Sequence, residues 1–235
     1  MQLKDKVVLI TGSSLGIGRE TAYKFAAEGC RVIVTYYEEK EDAEKAGNKC
    51  KEVGANDVLV AHLDVTDDKS IRELVEQVKE RFGRIGVLIN NAGICNYKLF
   101  EEQTFEEIHK EIVTNLEGTI KVTHACLSLI EDMVINVGSK AGVYGEKYMT
   151  TYGATKWGVR GFTKALAEEK GDIKVYAINP AQTATRMGDF LGIPPEQVAE
   201  VIVRLAKEEY NLPSGADINI WEYVQNPEDG EEGTR

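Results

Sequence analysis

Short apolar runs rich in β-branched residues alternate with helix-like segments along almost the whole chain. The runs that predict strands are 6–11, 31–36, 57–63, 87–90, 133–137, 175–179 and 218–221. Helical patterns follow the first strand and also occupy 40–53, 68–82, 105–130, 152–170 and 195–209. Continuous alternation of this kind predicts an α/β fold, a single doubly wound parallel sheet of about seven strands with helices on both faces.

No Pro/Gly/Ser-rich linker divides the 235 residues, so we expect one domain over residues 1–225. The acidic stretch at 226–235 is expected to be disordered. No apolar run is long enough to span a membrane, and no signal-peptide pattern opens the chain. The four cysteines lack metal-ligand spacing, and no metal site is expected. These features indicate a cytoplasmic protein with reduced thiols.

The charge balance bears on possible partners. A formal net charge of −11 argues against nucleic acid and against anionic membranes. It argues, less strongly, against an acidic protein substrate such as an acyl carrier. Composition therefore argues against these classes of partner, but it does not identify the substrate.

A glycine-rich turn lies between the first strand and the first helix. Its glycines are Gly12, Gly16 and Gly18, in TGSSLGIG, and a helical pattern follows at once. Glycine lets the main chain approach a pyrophosphate closely, and the free N–H groups and dipole of a helix start favour its charge. This placement predicts a dinucleotide site, the alternative being a tight turn that binds nothing.

A possible proton-transfer group lies further along the chain. Tyr152 and Lys156 are one helical turn apart on one helix face, and Ser139 ends a strand-like run upstream. An ammonium about 4 Å from a phenol favours the phenolate by about 4 kcal/mol at an effective dielectric of about 20. We therefore expect Lys156 to lower the pKa of Tyr152 from about 10 towards about 7, with burial opposing the shift.

The spacing alone is weak evidence, because Tyr36 and Lys40 repeat it. That second pair directly follows a strand and stands among acidic residues, which is typical of a solvated helix start. Ser139 taken singly could be a turn hydroxyl at a strand end. Asn115 could be a polar helix residue that is satisfied locally. Only the combination with the glycine turn favours a catalytic interpretation.

Motifs in a fixed order then connect these segments. They are TGSSLGIG at 11–18, LDVTD at 63–67, NNAG at 90–93, Asn115 in IVTNLEG, NVGS at 136–139, YGATK at 152–156 and NPAQTAT at 179–185. Over almost its whole length the chain resembles the short-chain dehydrogenase/reductase family, and in particular its carbonyl reductase, sugar dehydrogenase and 3-oxoacyl reductase members. The resemblance implies hydride exchange between a nicotinamide cofactor and a carbonyl or secondary alcohol substrate.

The resemblance also implies a site. Its catalytic residues would be Asn115, Ser139, Tyr152 and Lys156. Its cofactor-binding residues would be Gly12, Ser14, Gly16, Ile17, Gly18, Tyr36, Asp64, Val65, Asn90, Ala92, Gly93, Tyr152, Lys156, Pro180, Thr183 and Thr185. Tyr152 would transfer the proton, Ser139 would position the substrate oxygen, and Asn115 would hold a water in a proton relay.

Some positions depart from the family pattern. Ala181 and Thr183 replace the residues usual beside the carboxamide, and the substrate loop 181–195 is short. The pocket is expected to be lined by Cys95, Asn96, Tyr97, Val143, Tyr144, Tyr148, Met187 and Phe190. This mixture of polar and aromatic groups is compatible with sugars, quinones, small ketones or acyl thioesters.

The choice of cofactor depends on the end of the second strand. Tyr36 stands where an enzyme that uses NAD would carry an acid for the ribose 2′-hydroxyl. A neutral residue removes the repulsion of a 2′-phosphate, although no arginine follows and Glu38 and Glu39 do. We predict NADP, with NAD as the alternative.

Two further expectations concern assembly and activity. Ala154, Gly158, Gly161 and Ala165 form a stripe of small residues on one helix. The resemblance implies a homodimer or homotetramer through this helix and the one before it, whereas the stripe could equally pack within the chain. The alternative to an enzyme is a dinucleotide-binding sensor or scaffold on the same fold, without turnover.

Overall fold

The computed structural model describes residues 1–224, and the predicted disordered tail lies outside them. Seven strands form one parallel sheet in the order β3-β2-β1-β4-β5-β6-β7. The strands are β1 (Val7–Ile10), β2 (Arg31–Tyr36), β3 (Asp57–His62), β4 (Ile85–Asn90), β5 (Ile130–Val137), β6 (Lys174–Asn179) and β7 (Asp217–Asn219). The doubly wound parallel fold predicted from the sequence is confirmed.

Helices cover both faces of this sheet. They are α1 (Gly16–Ala27), α2 (Lys40–Val53), α3 (Asp68–Phe82), α4 (Phe105–Ile112), α5 (Gly118–Cys126), α6 (Thr150–Glu169) and α7 (Pro195–Ala206). Apolar residues of α1, α2 and α7 pack in one core, and those of α3, α5 and α6 pack in the other. Val8 and Ile10 of β1 belong to the first core, and Val7 and Leu9 belong to the second, because side chains alternate along a strand.

The strand order reverses between β1 and β4. Chain segments leaving these two strands turn to opposite faces, which opens a crevice at their carboxyl ends. The loops after β1, β4, β5 and β6 end at this edge, so the sheet gathers motifs that are far apart in sequence.

The segment predicted as one helix over 105–130 is divided. A π-helical turn at Val113–Glu117 separates α4 from α5, a 3₁₀ turn follows at Leu127–Leu129, and β5 begins at Ile130. The prediction of one helix was wrong because hydrophobic periodicity does not distinguish a π turn from continuous α-helix. The predicted strand at 218–221 is also shorter, since β7 gives way to a 3₁₀ turn at Ile220–Glu222. None of the helices within residues 1–224 has both the length and the apolar character needed to cross a bilayer.

Candidate active site

The glycine turn between β1 and α1 leaves no room for side chains. Gly12 and Gly16 have φ angles of 63° and 57°, which favour glycine. A Cβ on Gly18 would lie 2.5 Å from the carbonyl oxygen of Gly12. A Cβ on Gly12 would lie 3.0 Å from Cα of Ala92, so the turn also packs directly on the loop after β4.

The amino-terminus of α1 is open for an anion. Leu15 is the N-cap residue and makes no side-chain capping bond to the first turn. The main-chain N–H groups at the start of this helix therefore have no capping side chain at Leu15, which leaves them available to an anion. Ser14 is buried and Ile17 is half-buried beside them. The turn and the helix start fit a pyrophosphate group.

Thr11 and Asn91 fasten this turn to the loop after β4. The Thr11 hydroxyl accepts hydrogen bonds of 2.9 Å from the N–H groups of Asn91 and Ala92. The Asn91 amide donates to the carbonyls of Thr11 and Gly12 at 3.0 and 2.9 Å. Asn90 is directed elsewhere, since its amide donates to Thr123 and Asn136 inside the core. Only the main chain of Asn90 is left to face a cofactor.

The expected adenine side of the site is formed by the ends of β2 and β3. Tyr36 ends β2 and packs edge-on against His62, with ring centroids 5.6 Å apart. The Asp64 carboxylate accepts hydrogen bonds from the N–H and hydroxyl of Thr66 at 2.8 and 2.7 Å. Val65 is buried against Gly118 at the start of α5. Asp64 is half-buried, and its position is therefore fixed before any ligand binds.

The loop after β6 closes over the other side of the crevice. The carbonyl of Pro180 accepts a 2.8 Å hydrogen bond from the N–H of Lys140, which ties this loop to the one after β5. Thr183 pairs with Ile193 in an isolated bridge that closes the short substrate loop on itself. Thr185 reaches the glycine turn, since a Cβ on Gly16 would lie 3.2 Å from its Cγ2.

Ser139, Tyr152 and Lys156 meet at the end of β5. Ser139 caps the 3₁₀ turn after β5, and its side chain is close enough to that of Tyr152 to lower the pKa of the phenol. Lys156 donates a 2.9 Å hydrogen bond to the carbonyl of Val137, and its Nζ lies 5.6 Å from the centroid of the Tyr152 ring. A Cβ on Gly93 would lie 3.5 Å from the same Nζ. The three side chains therefore stand beside the expected nicotinamide position.

The structure does not show the expected lowering of the Tyr152 pKa. Burial raises the pKa of Tyr152 well above its usual value of 10, and the nearby Ser139 hydroxyl only partly opposes this. Burial also lowers the pKa of Lys156 to about 8. The sequence-based expectation failed because it treated desolvation as the smaller effect, whereas both side chains are almost completely buried.

Asn115 lies within the π-helical turn, and its side chain faces the loop after β4. Its Oδ1 accepts a 2.8 Å hydrogen bond from the N–H of Ile94, and its Nδ2 donates to the Ile94 carbonyl at 2.8 Å. Nδ2 also lies 3.2 Å from the hydroxyl of Thr155 in α6. These contacts hold the π-helical turn, α6 and the loop at Ile94 together. The predicted water-holding role of Asn115 stays a prediction.

Sequence reasoning overlooked two residues near the site. Asn91 was quoted only as part of a motif, although it fastens the glycine turn. Glu111 was not considered, yet its Oε1 accepts a 2.7 Å hydrogen bond from the N–H of Asn96. A spacing of four between Glu111 and Asn115 was the available signal, because it places both on one helix face.

Comparison with known proteins identifies the family. The family model for short chain dehydrogenase matches residues 6–192. The 3-oxoacyl-[acyl-carrier-protein] reductase FabG of Thermotoga maritima is 36% identical, over 94% of this chain and 98% of the relative. The trans-4-hydroxycyclohexanecarboxylate dehydrogenase of Sinomonas cyclohexanicum is 32% identical, over 93% and 92%.

Solved structures resemble this one closely. A levodione reductase superposes with a TM-score of 0.86 at 28% identity, covering 92% of this chain and 96% of that one. A short chain dehydrogenase of Burkholderia cenocepacia J2315, in complex with NADP, superposes with a TM-score of 0.87 at 25% identity, covering 93% and 97%. The chain belongs to the short-chain dehydrogenase family, and it is an oxidoreductase of that class. The predictions of family and enzyme class are confirmed.

Proposed function

We propose that the protein reduces a ketone or aldehyde, or oxidises the matching alcohol, with Tyr152 as the general acid and base. The observation that carries this proposal is the meeting of Ser139, Tyr152 and Lys156 next to the glycine turn, in the crevice where the strand order reverses. A nicotinamide cofactor, when bound, exchanges a hydride with the substrate carbon.

The protein's own groups handle the proton. Ser139 donates a hydrogen bond to the substrate oxygen and holds it within reach of the Tyr152 hydroxyl. In reduction, Tyr152 gives its proton to that oxygen, and in oxidation it takes the proton back. Lys156 lies beside the phenol ring, and its side chain, when protonated, stabilises the phenolate that forms. Asn115 supports this arrangement by holding the main chain of Ile94.

The proposed cofactor is NADP(H), with NAD(H) as the alternative. Tyr36 places no carboxylate at the end of β2, where an acid would repel a 2′-phosphate. The related dehydrogenase from Burkholderia cenocepacia was solved with NADP. The residues proposed to hold the dinucleotide are those of the glycine turn, Tyr36, Asp64, Val65, the 90–93 loop and the loop from Pro180 to Thr185.

The proposed substrate is a free ketone or aldehyde with an apolar or aromatic body. Tyr97, Tyr144, Met187 and Phe190 are all more than half exposed around the crevice. The relative from Thermotoga maritima is named for 3-oxoacyl groups on acyl carrier protein. An acidic carrier is disfavoured here, because the chain has a net charge of −11 and Lys98, near the crevice, is paired with an acid.

Self-association is proposed to occur through α4 and α6. Phe105 is 93% exposed at the start of α4, and Trp157 on α6 is 54% exposed. Ala154 and Gly161 are exposed on the same helix, whereas Gly158 packs against Leu116 within the chain. An apolar helical surface with small residues suits a homodimer or homotetramer.

The four cysteines are free, which supports the proposed cytoplasmic location.

The test is consumption of NADPH and NADH with a panel of aldehydes, ketones, diketones, quinones and acetoacetyl thioesters. Turnover that disappears in Tyr152→Phe supports the proposal and reports the cofactor preference. Tight dinucleotide binding without turnover on any carbonyl would favour the sensor instead.

A further inference from the structure

Glu111 is a buried carboxylate that the proposed mechanism does not use. It lies in α4 and has no exposed surface. Its Oε1 accepts a hydrogen bond from Asn96, while its Oε2 is without a partner within residues 1–224. Burial raises its pKa above the usual range, and the nearby Glu107 adds to this. A polar group in this position destabilises the fold, so its presence calls for an explanation.

Glu111 forms its hydrogen bond with the segment of residues 93–98, which lines one side of the crevice and is called the wall below. Glu111 holds the main-chain N–H of Asn96 at 2.7 Å, and Asn115, one turn further along, holds that of Ile94 at 2.8 Å. These two bonds fix the 93–96 segment on either side of Cys95. Its first residue, Gly93, passes beside the ammonium of Lys156.

The pKa of Cys95, which lies in this wall, depends on the charged groups around it. Burial raises the pKa of Cys95 to about 12, the charge of Glu111 adds to this rise, and Lys156 opposes it. Glu111 and Cys95 also contribute to the raised pKa of Tyr152. The geometry agrees with this, since a Cβ on Gly93 would lie 3.5 Å from Nζ of Lys156, and that Nζ lies 5.6 Å from the centroid of the Tyr152 ring.

Beyond Asn96, the wall contacts Tyr148 on the opposite side of the opening of the crevice, which is called the mouth below. Tyr97 follows Asn96 and packs against Tyr148, with ring centroids 4.9 Å apart and the ring planes tilted by 39°. Lys98 then donates its main-chain N–H to the carbonyl of Tyr148 at 3.1 Å. Tyr148 has a φ of 68°, an unfavourable conformation for a tyrosine that its neighbours must maintain. Displacement of Asn96 would thus disturb both sides of the mouth.

We propose that Glu111 is a positioning residue that acts through the main chain of Asn96. Its carboxylate oxygen fixes the 93–98 wall, and the wall directs the substrate carbonyl to Ser139 and Tyr152. This inference rests on the proposed reaction, because it assigns Glu111 a role in placing that substrate.

Two substitutions separate the hydrogen bond from the charge. Glu111→Gln keeps an acceptor oxygen at the same reach and removes the charge. Glu111→Asp keeps the charge, but the shorter side chain draws the acceptor away from Asn96. We expect Glu111→Asp to raise KM for the carbonyl substrate about tenfold, the scale of one lost charged hydrogen bond. Its kcat and its Kd for NADPH should stay near wild type, and Glu111→Gln should resemble wild type in KM, kcat and Kd.

A second readout does not depend on turnover. Cys95 is the half-exposed cysteine, whereas Cys30, Cys50 and Cys126 are buried, so iodoacetamide labels the wall selectively. Glu111→Asp should label several-fold faster than wild type at equal pH, because the charge beside the thiol is kept while the tether is lost. Glu106→Asp and Glu106→Gln, at an exposed position on the same helix, are the matched controls.

The outcomes are distinct. Wild-type KM and labelling in Glu111→Asp would overturn the inference. An impairment of Glu111→Gln as large as that of Glu111→Asp would also overturn it, because Glu111→Gln keeps the acceptor oxygen. If wild type turns over no carbonyl at all, the proposed function fails. Even then, faster labelling of Cys95 in Glu111→Asp would support the conclusion that the Glu111 hydrogen bond holds the wall in place.

Discussion

The ammonium of Lys156 lies 5.6 Å from the centroid of the Tyr152 ring, one helical turn away on α6. It donates its hydrogen bond to the carbonyl of Val137 rather than to the phenol. Both side chains are at most 9% exposed. Burial therefore disfavours the charged form of each, which raises the pKa of Tyr152 and lowers that of Lys156.

Tyr152→Phe should abolish most of the turnover while leaving the dinucleotide site intact. Loss of a general acid or base lowers rates by about 10²- to 10⁴-fold. NADPH affinity, measured by fluorescence titration, should change by less than about threefold, because a ring of the same shape fills the same space. Tyr223→Phe, whose ring packs against Tyr210, is the control and should keep its activity. Undiminished turnover in Tyr152→Phe would remove this residue from the mechanism.

Lys156→Met should change how stability depends on pH. The unfolded lysine has a pKa of 10.5, and burial lowers it to about 8 in the folded protein. Between these values the unfolded chain binds the additional proton, so wild-type stability should rise with pH in this window. The full rise from this group is at most about 3 kcal/mol, and below pH 8 it contributes a constant penalty.

Urea unfolding of both proteins at pH 7, 8, 9 and 9.5 measures this difference. The free energy of unfolding of wild type relative to Lys156→Met should increase across the series. These values stay below the pH at which tyrosine ionises in the unfolded chain, so Tyr152 does not interfere. A difference that is constant with pH would show that the ammonium is not desolvated as the structure indicates.

Gly18→Ala should prevent dinucleotide binding. Its new Cβ would lie 2.5 Å from the Gly12 carbonyl and 2.6 Å from the Asn91 amide, so the glycine turn would have to open. NADPH affinity should fall at least about tenfold, and stability should fall by about 1–3 kcal/mol from overpacking. Gly171→Ala, where the new Cβ has open space, is the control and should bind NADPH normally. Calorimetric titration of both variants makes the comparison.

Asn115→Ala should destabilise the protein through the loop after β4. The substitution leaves the N–H and carbonyl of Ile94 without their partner at a part-buried position. Each such group costs about 1–3 kcal/mol, so we expect a loss of about 2–4 kcal/mol in urea unfolding. Asn48→Ala, at an exposed position on α2, should lose less than about 1 kcal/mol. Equal stability of the two variants would contradict the bracing role of Asn115.

Tyr36→Asp should reverse the cofactor preference. A carboxylate at the end of β2 would repel a 2′-phosphate and could accept a hydrogen bond from a ribose hydroxyl. The ratio of kcat/KM for NADPH over NADH should fall at least about tenfold relative to wild type. Tyr36→Phe keeps the neutral ring and should retain the original ratio. An unchanged ratio in Tyr36→Asp would mean that the 2′-phosphate does not approach this residue.

Much of the fold could be predicted because its signals are local. Strands β2 and β3 and helices α2 and α3 agree with their predictions within one residue at each end, since each has its own apolar pattern and ends at a cap or turn. The π turn at Val113–Glu117 could not be predicted. It is stabilised by the contact of Asn115 with Ile94, which is distant in sequence.

The sequence predicted which residues come together at the candidate site, but not how deeply they are buried or how burial shifts their pKa values. Gly12, Gly16 and Gly18 form the expected turn, and Ser139, Tyr152 and Lys156 come together as expected. The direction of the Tyr152 pKa was missed because burial depends on every element packed around the ring. Glu111 was missed because an acid on a helix is ordinarily solvated, and only packing showed this one to be buried.

The sequence by itself determined the order of strands and helices, the glycine turn and the spacing of Tyr152 and Lys156, because these follow from local periodicity and residue type. The tertiary structure decided which side chains became desolvated, that Asn90 faces the core while Asn91 grips the glycine turn, and that Glu111 holds the wall at Asn96. Those outcomes depend on contacts between segments far apart in the chain, and no local pattern encodes the dielectric that such contacts create.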